Sequence, residues 1–187
     1  MSLTGLLEAI ADDPQFRQVP SLASALATEV GRAGGEGADV TAPAALRPLL
    51  AAALAGAPGR DRRFLLAVTA TAREAEELSA ALGSLLPAES VAYFPAWETL
   101  PHERLSPQSD TSGQRLAILR RLAHPGPAGT PTAAVAAVVT PIRALLQPMV
   151  SGLGDVEPVA LEVGDTADLE EVLTRLCLLY TSPSPRD

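Results

Sequence analysis

Three short apolar runs, each followed by an amphipathic helical segment, organise the sequence between residues 64 and 148. The runs lie at residues 64–69, 91–94 and 134–139. An order in which strands and helices alternate favours parallel strands joined by right-handed crossovers. The sequence therefore predicts an α/β domain with three layers, α/β/α, and a mostly parallel sheet. The unbroken apolar character of the first run predicts a strand that is covered on both faces.

The helices that follow these runs have start signals of different strength. Thr71 and Glu74 stand three residues apart, as the two partners of a capping box do, and they predict a helix to about Leu86. The helix after the second run is expected to begin near Asp110 and to end at Ala123. Its inward-facing residues are predicted to be Leu116, Leu119 and Leu122. The third run is followed by Thr140 and Pro141, an N-cap and a first helical position.

The segments on either side of this alternation give weaker signals. Helices are expected at about residues 6–10, 21–30 and 46–54, and a short strand at residues 39–41. After Pro148 the glycines at 152 and 154 mark a boundary, and a strand at 159–163 and a helix from Asp168 are expected. These patterns predict a first domain over residues 1–148 and the start of a second α/β domain over residues 149–176.

Composition limits the classes of partner. The chain has 187 residues and a formal net charge of −8, so a phosphate backbone should repel it and DNA is not an expected direct partner. The start of the chain lacks the basic region of a secretion signal, and no apolar run approaches the ~20 residues that span a bilayer. The single cysteine, Cys177, fits a reducing compartment. We expect a cytoplasmic monomer without a membrane partner.

The loop before the helix at 46–54 decides whether a phosphate site is expected. Nucleotide-binding α/β domains place a Gly-rich turn there, with a Lys for the outer phosphates and a Ser or Thr for the metal. Residues 41–47 read T-A-P-A-A-L-R, and all fourteen basic residues of the chain are arginines. The sequence therefore predicts a degenerate loop around Thr41, Pro43 and Arg47, with no bound cofactor and no catalytic residue.

A second candidate site lies in the Pro-rich loop from Pro95 to Asp110. Two or more carboxylates and a histidine can bind a metal or catalyse hydrolysis. The residues concerned are Glu98, His102, Glu103 and Asp110. Because no second histidine or cysteine lies near and no helical spacing organises these groups, a solvated loop without metal is the favoured interpretation.

The same loop contains Trp97, the only tryptophan, and it leaves the carboxyl end of a strand, where α/β sheets bind ligands and partners. Loops of this length inside a domain usually pack or bind something. Trp97 and Leu100 are therefore expected either to pack against the sheet edge or to bind a partner, and the two roles are compatible. Two groups of arginines could contact phosphate or an acidic partner, but a solvated face is the favoured interpretation of both. One group precedes the first strand (Arg60, Arg62 and Arg63), and the other lies on the helix after the loop (Arg115, Arg120 and Arg121).

The segment W-E-T-L-P-H-E-R-L-S-P-Q-S-D at residues 97–110, followed by G-Q-R-L-A-I-L-R-R-L, resembles the N-terminal region of bacterial transcription-repair coupling factors. The resemblance extends over about residues 3–176. It makes interface candidates of the motif positions Trp97, Glu98, Leu100, Pro101, Glu103, Ser106, Pro107, Asp110 and Arg115.

The resemblance implies that the parent protein is a large ATP-dependent DNA translocase that displaces stalled RNA polymerase and recruits excision repair. The N-terminal region of this family is similar to UvrB, with a degenerate nucleotide site. ATP, magnesium, RNA polymerase and DNA would bind to domains outside this chain. Residues 149–176 would be the start of the family's UvrA-binding domain, the greater part of which would also lie outside this chain. The expected partners of this part are UvrA and the parent's own downstream domains, and its expected role is non-catalytic, interactive and autoinhibitory.

The last residues depart from the family pattern. Residues 177–187 read C-L-L-Y-T-S-P-S-P-R-D, which resembles a translated sequencing adapter. We expect a non-native, disordered tail, because two prolines in a Ser-rich run continue neither a helix nor a central strand. The alternatives for the function are a stand-alone small nucleotide-binding protein and a DNA-binding domain.

Overall fold

The fold was analysed in a computed structural model of the chain. The structure describes residues 3–11, 13–14, 18, 39–55, 64–98, 109–127, 129–130, 132–157, 159, 163–164 and 166–180. Within these residues, the helices of four or more residues are α1 (Thr4–Ala11), α2 (Arg47–Ala55), α3 (Ala72–Leu85), α4 (Ser109–Ala123), α5 (Ile142–Leu146) and α6 (Leu169–Tyr180). The strands in the same part of the chain are β1 (Leu65–Thr69), β2 (Val91–Tyr93) and β3 (Ala137–Pro141). None of the described helices is long and apolar enough to cross a bilayer.

The described strands form one parallel sheet in the order β1-β3-β2. Leu66 of β1 and Ala92 of β2 both pair with Val138 of β3, which is the central strand. Every residue of β3 is buried. The alternation of strands and helices therefore gave the correct sheet type.

Apolar clusters on the two faces of the sheet make three layers. On one face, Leu7 of α1, Ala52 of α2 and Leu82 of α3 belong to the same apolar cluster as Val139. On the other face, Ile118 of α4 and Ala144 of α5 pack with Ala92, Phe94 and Val138. The predicted α/β/α arrangement is confirmed.

The capping box at the start of α3 is present. The amide of Glu74 donates to Thr71 Oγ1 at 3.2 Å, and the amide of Thr71 donates to Glu74 Oε2 at 3.2 Å. Each of these amides would otherwise lack a partner at the helix start. The prediction from a three-residue spacing is confirmed.

The first strand is not covered on both faces, and that prediction is wrong. Leu66 is 47% exposed and Val68 is 44% exposed. Their register with Val138 and Thr140 places them on the face where α4 and α5 pack. Because those helices pack over β2 and β3, β1 at the edge of the described sheet keeps this face open.

A short 3₁₀ turn, Leu153–Asp155, packs on the last turns of α4. Arg120 donates from Nη1 to the Val156 carbonyl at 3.1 Å, and His124 Nε2 lies 2.8 Å from Asp155 Oδ1. A Cβ built on Gly154 would lie 2.8 Å from the Leu119 carbonyl oxygen. The turn therefore depends on glycine for its close approach to α4. The predicted domain boundary at residue 148 stays a prediction.

Several predicted elements differ from the observed ones. Residues 39–41 are not a strand, and the third strand lies at Ala137–Pro141 instead of 134–139, so that Pro141 becomes the N-cap of α5. The last helix continues through Tyr180, so residues 177–180 are helical where disorder was expected. The predicted helix at 21–30 and most of the predicted strand at 159–163 lie outside the described residues.

Candidate interaction site at the carboxyl end of the sheet

Residues 94–98, named here the Trp97 segment, continue directly from β2 at the carboxyl end of the sheet. The end of β3 lies beside them, because the Phe94 amide donates to the Val139 carbonyl at 2.8 Å. Thr140 Oγ1, fully buried, donates to the Phe94 carbonyl at 2.9 Å. The beginning of the segment is thus fixed to the central strand.

A reciprocal pair of hydrogen bonds holds the backbone of Trp97. Gln147, just after α5, accepts from the Trp97 amide through Oε1 at 2.7 Å. The same side chain donates from Nε2 to the Trp97 carbonyl at 3.1 Å. One side-chain amide therefore satisfies both backbone groups of Trp97, as a neighbouring strand would. The backbone of Trp97 has a defined position although no described strand pairs with it.

The guanidinium of Arg115 in α4 contacts two aromatic rings of the segment. Its central carbon is 4.2 Å from the Phe94 ring centroid and 4.4 Å from the Trp97 ring centroid. Its Nη1 donates to the Pro95 carbonyl at 2.6 Å. Arg115 is only 2% exposed, and burial lowers its pKa to about 10. Arg115 therefore remains a cation at neutral pH, and both rings can interact with its charge.

Polar contacts also hold the outer end of the segment. Thr111 of α4 donates a hydrogen bond from its hydroxyl to the Glu98 carboxylate, and Arg143 of α5 donates from Nη2 to the Glu98 carbonyl at 3.4 Å. Gln114 donates from Nε2 to the carbonyl of Tyr93, just before the segment, at 3.2 Å. Side chains of α4 and α5 thus contact the segment from two sides, while Trp97 stays half-buried and Glu98 exposed.

The arginines of α4 do not form a solvated face, and that interpretation is wrong. Thr111, Arg115 and Ile118 make the buried stripe of the helix, whereas Leu122, expected to face inward, is 42% exposed. Arg121 donates from Nε and Nη2 to the Ala133 carbonyl at 3.2 and 3.0 Å and also to the Glu89 carbonyl. These guanidinium groups bind backbone carbonyls.

The predicted degenerate phosphate loop is on the surface. Thr41, Pro43 and Arg47 are all exposed, and the 3₁₀ turn Ala44–Leu46 leads into α2. Pro43 is the N-cap of that turn and provides no side-chain cap. Its extended backbone, with φ −53° and ψ 144°, is the ordinary geometry of proline. Whether this loop binds a nucleotide stays a matter of prediction.

Of the other motif positions, Asp110 is exposed in the first turn of α4. Those outside the described residues are Leu100, Pro101, Glu103, Ser106 and Pro107, together with His102 of the candidate metal group and the arginines at 60, 62 and 63. Within the described part of the chain, no three His, Cys, Asp or Glu side chains cluster to hold a metal ion. The residues that sequence reasoning missed are Phe94, Thr140 and Gln147.

Comparison with known protein sequences finds relatives that match almost the whole chain. No family model matches the chain. It is 46% identical over 184 residues to the transcription-repair-coupling factors of Mycobacterium bovis and Mycobacterium tuberculosis. The match covers 96% of this chain and 13% of each of the two relatives, so the chain spans about an eighth of their length. This identity confirms that the chain resembles one part of the transcription-repair-coupling factors.

Proposed function

We propose that this chain is a non-catalytic protein-interaction module of a transcription-repair-coupling factor. The observation that carries the proposal is the Trp97 segment, whose backbone is fixed by Gln147 and whose half-buried indole lies over Arg115. Tryptophan is among the residues that most often dominate binding energy at protein interfaces. A preorganised indole lowers the entropy that binding would otherwise lose.

The proposed partners follow from the family. UvrA and the downstream domains of the parent protein would contact this module, and the second contact would restrain the motor. The parent would be a cytoplasmic ATP-dependent DNA translocase that displaces stalled RNA polymerase and recruits excision repair. ATP, magnesium, RNA polymerase and DNA would then bind to parts of the parent other than this chain. The net charge of −8 supports a protein partner over DNA for this part.

Trp97→Ala tests the interface directly. We expect it to weaken binding of the chain to purified UvrA by about tenfold or more, because interface tryptophans commonly contribute 2 kcal/mol or more. Biolayer interferometry measures the affinity, and far-UV circular dichroism verifies folding. Phe64→Ala is the matched control, since Phe64 is an exposed aromatic residue, 55% exposed, just before β1. Equal affinities for the two variants, or unfolding of the Trp97 variant alone, would contradict the interface role.

Titration with magnesium and ATP separates this proposal from a nucleotide-binding protein. We expect no rise in the melting temperature up to millimolar ATP, because a ligand at 100 times its Kd stabilises by about 2.7 kcal/mol and would be visible. The chain has no Lys to reach the outer phosphates. Saturable stabilisation by ATP would favour the nucleotide-binding alternative, and salt-dependent retention on duplex DNA would favour the DNA-binding one.

A further inference from the structure

The position of Arg115 is unusual for a charged residue. It belongs to the buried stripe of α4, four residues after Thr111 and three before Ile118, where an apolar side chain would fit the pattern. Its Nη2 atom is buried and has no hydrogen-bond partner in the part of the chain that the structure describes. A buried cation with an unsatisfied donor is a poor source of stability, and apolar replacements at such positions are often neutral or stabilising. Stability alone therefore does not explain an arginine here.

The planar shape of the guanidinium gives a better explanation for an arginine at position 115. A planar cation can stack on two rings at once, which neither an ammonium group nor an aliphatic chain can do. The Nη1 atom also donates to the carbonyl of Pro95, which lies between the two aromatic residues in the chain. Phe94, Pro95 and Trp97 therefore all contact the same guanidinium.

We propose that Arg115 is a positioning residue, which holds the Trp97 indole in the orientation that the interface uses. The contribution of Arg115 to partner binding rests on the proposed function above, whereas its effect on the orientation of Trp97 does not. Local rules of burial are most often broken where function requires it. The buried guanidinium then orients a residue of the binding surface instead of stabilising the core.

Arg115→Met separates a role in stability from a role in positioning Trp97, because methionine fills a similar space without a charge or a planar group. We expect an unchanged or higher unfolding midpoint. Trp97 is the only tryptophan in the chain, so its fluorescence reports on this site alone. We expect a red-shifted emission, faster quenching by acrylamide and a weaker near-UV circular dichroism signal. Binding to UvrA should weaken about tenfold. Arg115→Lys should resemble Met in these readouts, since the charge remains but the stacking plane is lost.

Arg121→Met is the matched control on the same helix. Its guanidinium binds the carbonyls of Ala133 and Glu89, and no contact with the Trp97 segment is seen among the described residues. We expect a lower unfolding midpoint with an unchanged Trp97 spectrum. If Arg121→Met changes the spectrum as much as Arg115→Met, or if Arg115→Met leaves it unchanged, the positioning role is overturned.

Binding data distinguish this failure from failure of the proposed function. An altered Trp97 spectrum in Arg115→Met, with UvrA binding that neither this variant nor Trp97→Ala affects, would support the positioning of Trp97 and overturn the interface. Loss of binding in Trp97→Ala with normal spectrum and binding in Arg115→Met would support the interface and overturn the positioning role.

Discussion

Val139→Asp should prevent the chain from folding. Val139 is fully buried in the central strand β3 and belongs to the apolar cluster with Leu82 of α3. An unpaired carboxylate in such a place loses its hydration without gaining a partner, and effects above about 4 kcal/mol have this kind of cause. Since a domain of this size has only about 5–15 kcal/mol of stability, most of it would be lost. Far-UV circular dichroism with urea titration measures the change.

The same substitution at Val68 is the control. Val68 lies on the open face of β1 and is 44% exposed, so a carboxylate there stays in contact with water. We expect a loss of no more than about 1 kcal/mol, which is the range of strand propensities. A loss at Val68 as large as that at Val139 would show that another part of the protein covers this face of β1.

Gly154→Ala should weaken the contact between the 3₁₀ turn and α4. The new Cβ would lie 2.8 Å from the carbonyl oxygen of Leu119 and 3.0 Å from the Cβ of Ala123. Because backbone atoms of a helix cannot move aside at small cost, the turn must shift and strain its contact with Arg120. We expect a loss of about 1–3 kcal/mol, as for other overpacked sites. Thermal unfolding measures the loss, and faster hydrogen exchange at residues 153–156 would locate it.

Gly113→Ala is the control with the identical chemical change. Gly113 lies within α4, and a Cβ built there would meet no described atom within 4 Å apart from its chain neighbours and the backbone of its own helix. Alanine in a helix interior is about 1 kcal/mol more favourable than glycine, so this variant should be stabilised. Opposite signs at the two glycines would support the packing of the turn on α4, whereas a stabilised Gly154 variant would contradict it.

The sequence predicts the parts of this fold that local chemistry determines. The capping box of α3 depends on two side chains three residues apart, and alternation of apolar runs with helices determines a parallel sheet. The open face of β1 could not be predicted in this way. Leu66 and Val68 are as apolar as buried residues. Whether a helix covers them depends on the strand order β1-β3-β2, which puts β1 at the edge of the described sheet.

The candidate site was predicted only in its position. Trp97 and the loop after a parallel strand pointed to this end of the sheet. The hydrophobic pattern of α4 placed its leucines inward, which is correct for Leu119 and wrong for the exposed Leu122. The pattern did not predict the burial of Arg115, because its aromatic partners come from residues 94–97. Nothing near Gln147 in the sequence indicates that it will bind a backbone fifty residues earlier.

That distance along the chain has a consequence for the order in which the protein is made. Trp97 contacts both Arg115 and Gln147, and Gln147 follows every strand of the described sheet in the sequence. Contacts between residues far apart in the sequence form late, after the loops between them have closed. While the polypeptide is being synthesised, the Trp97 surface cannot be completed until Gln147 has been added. A nascent chain that stops short of this residue would contain the sheet and still lack the finished surface.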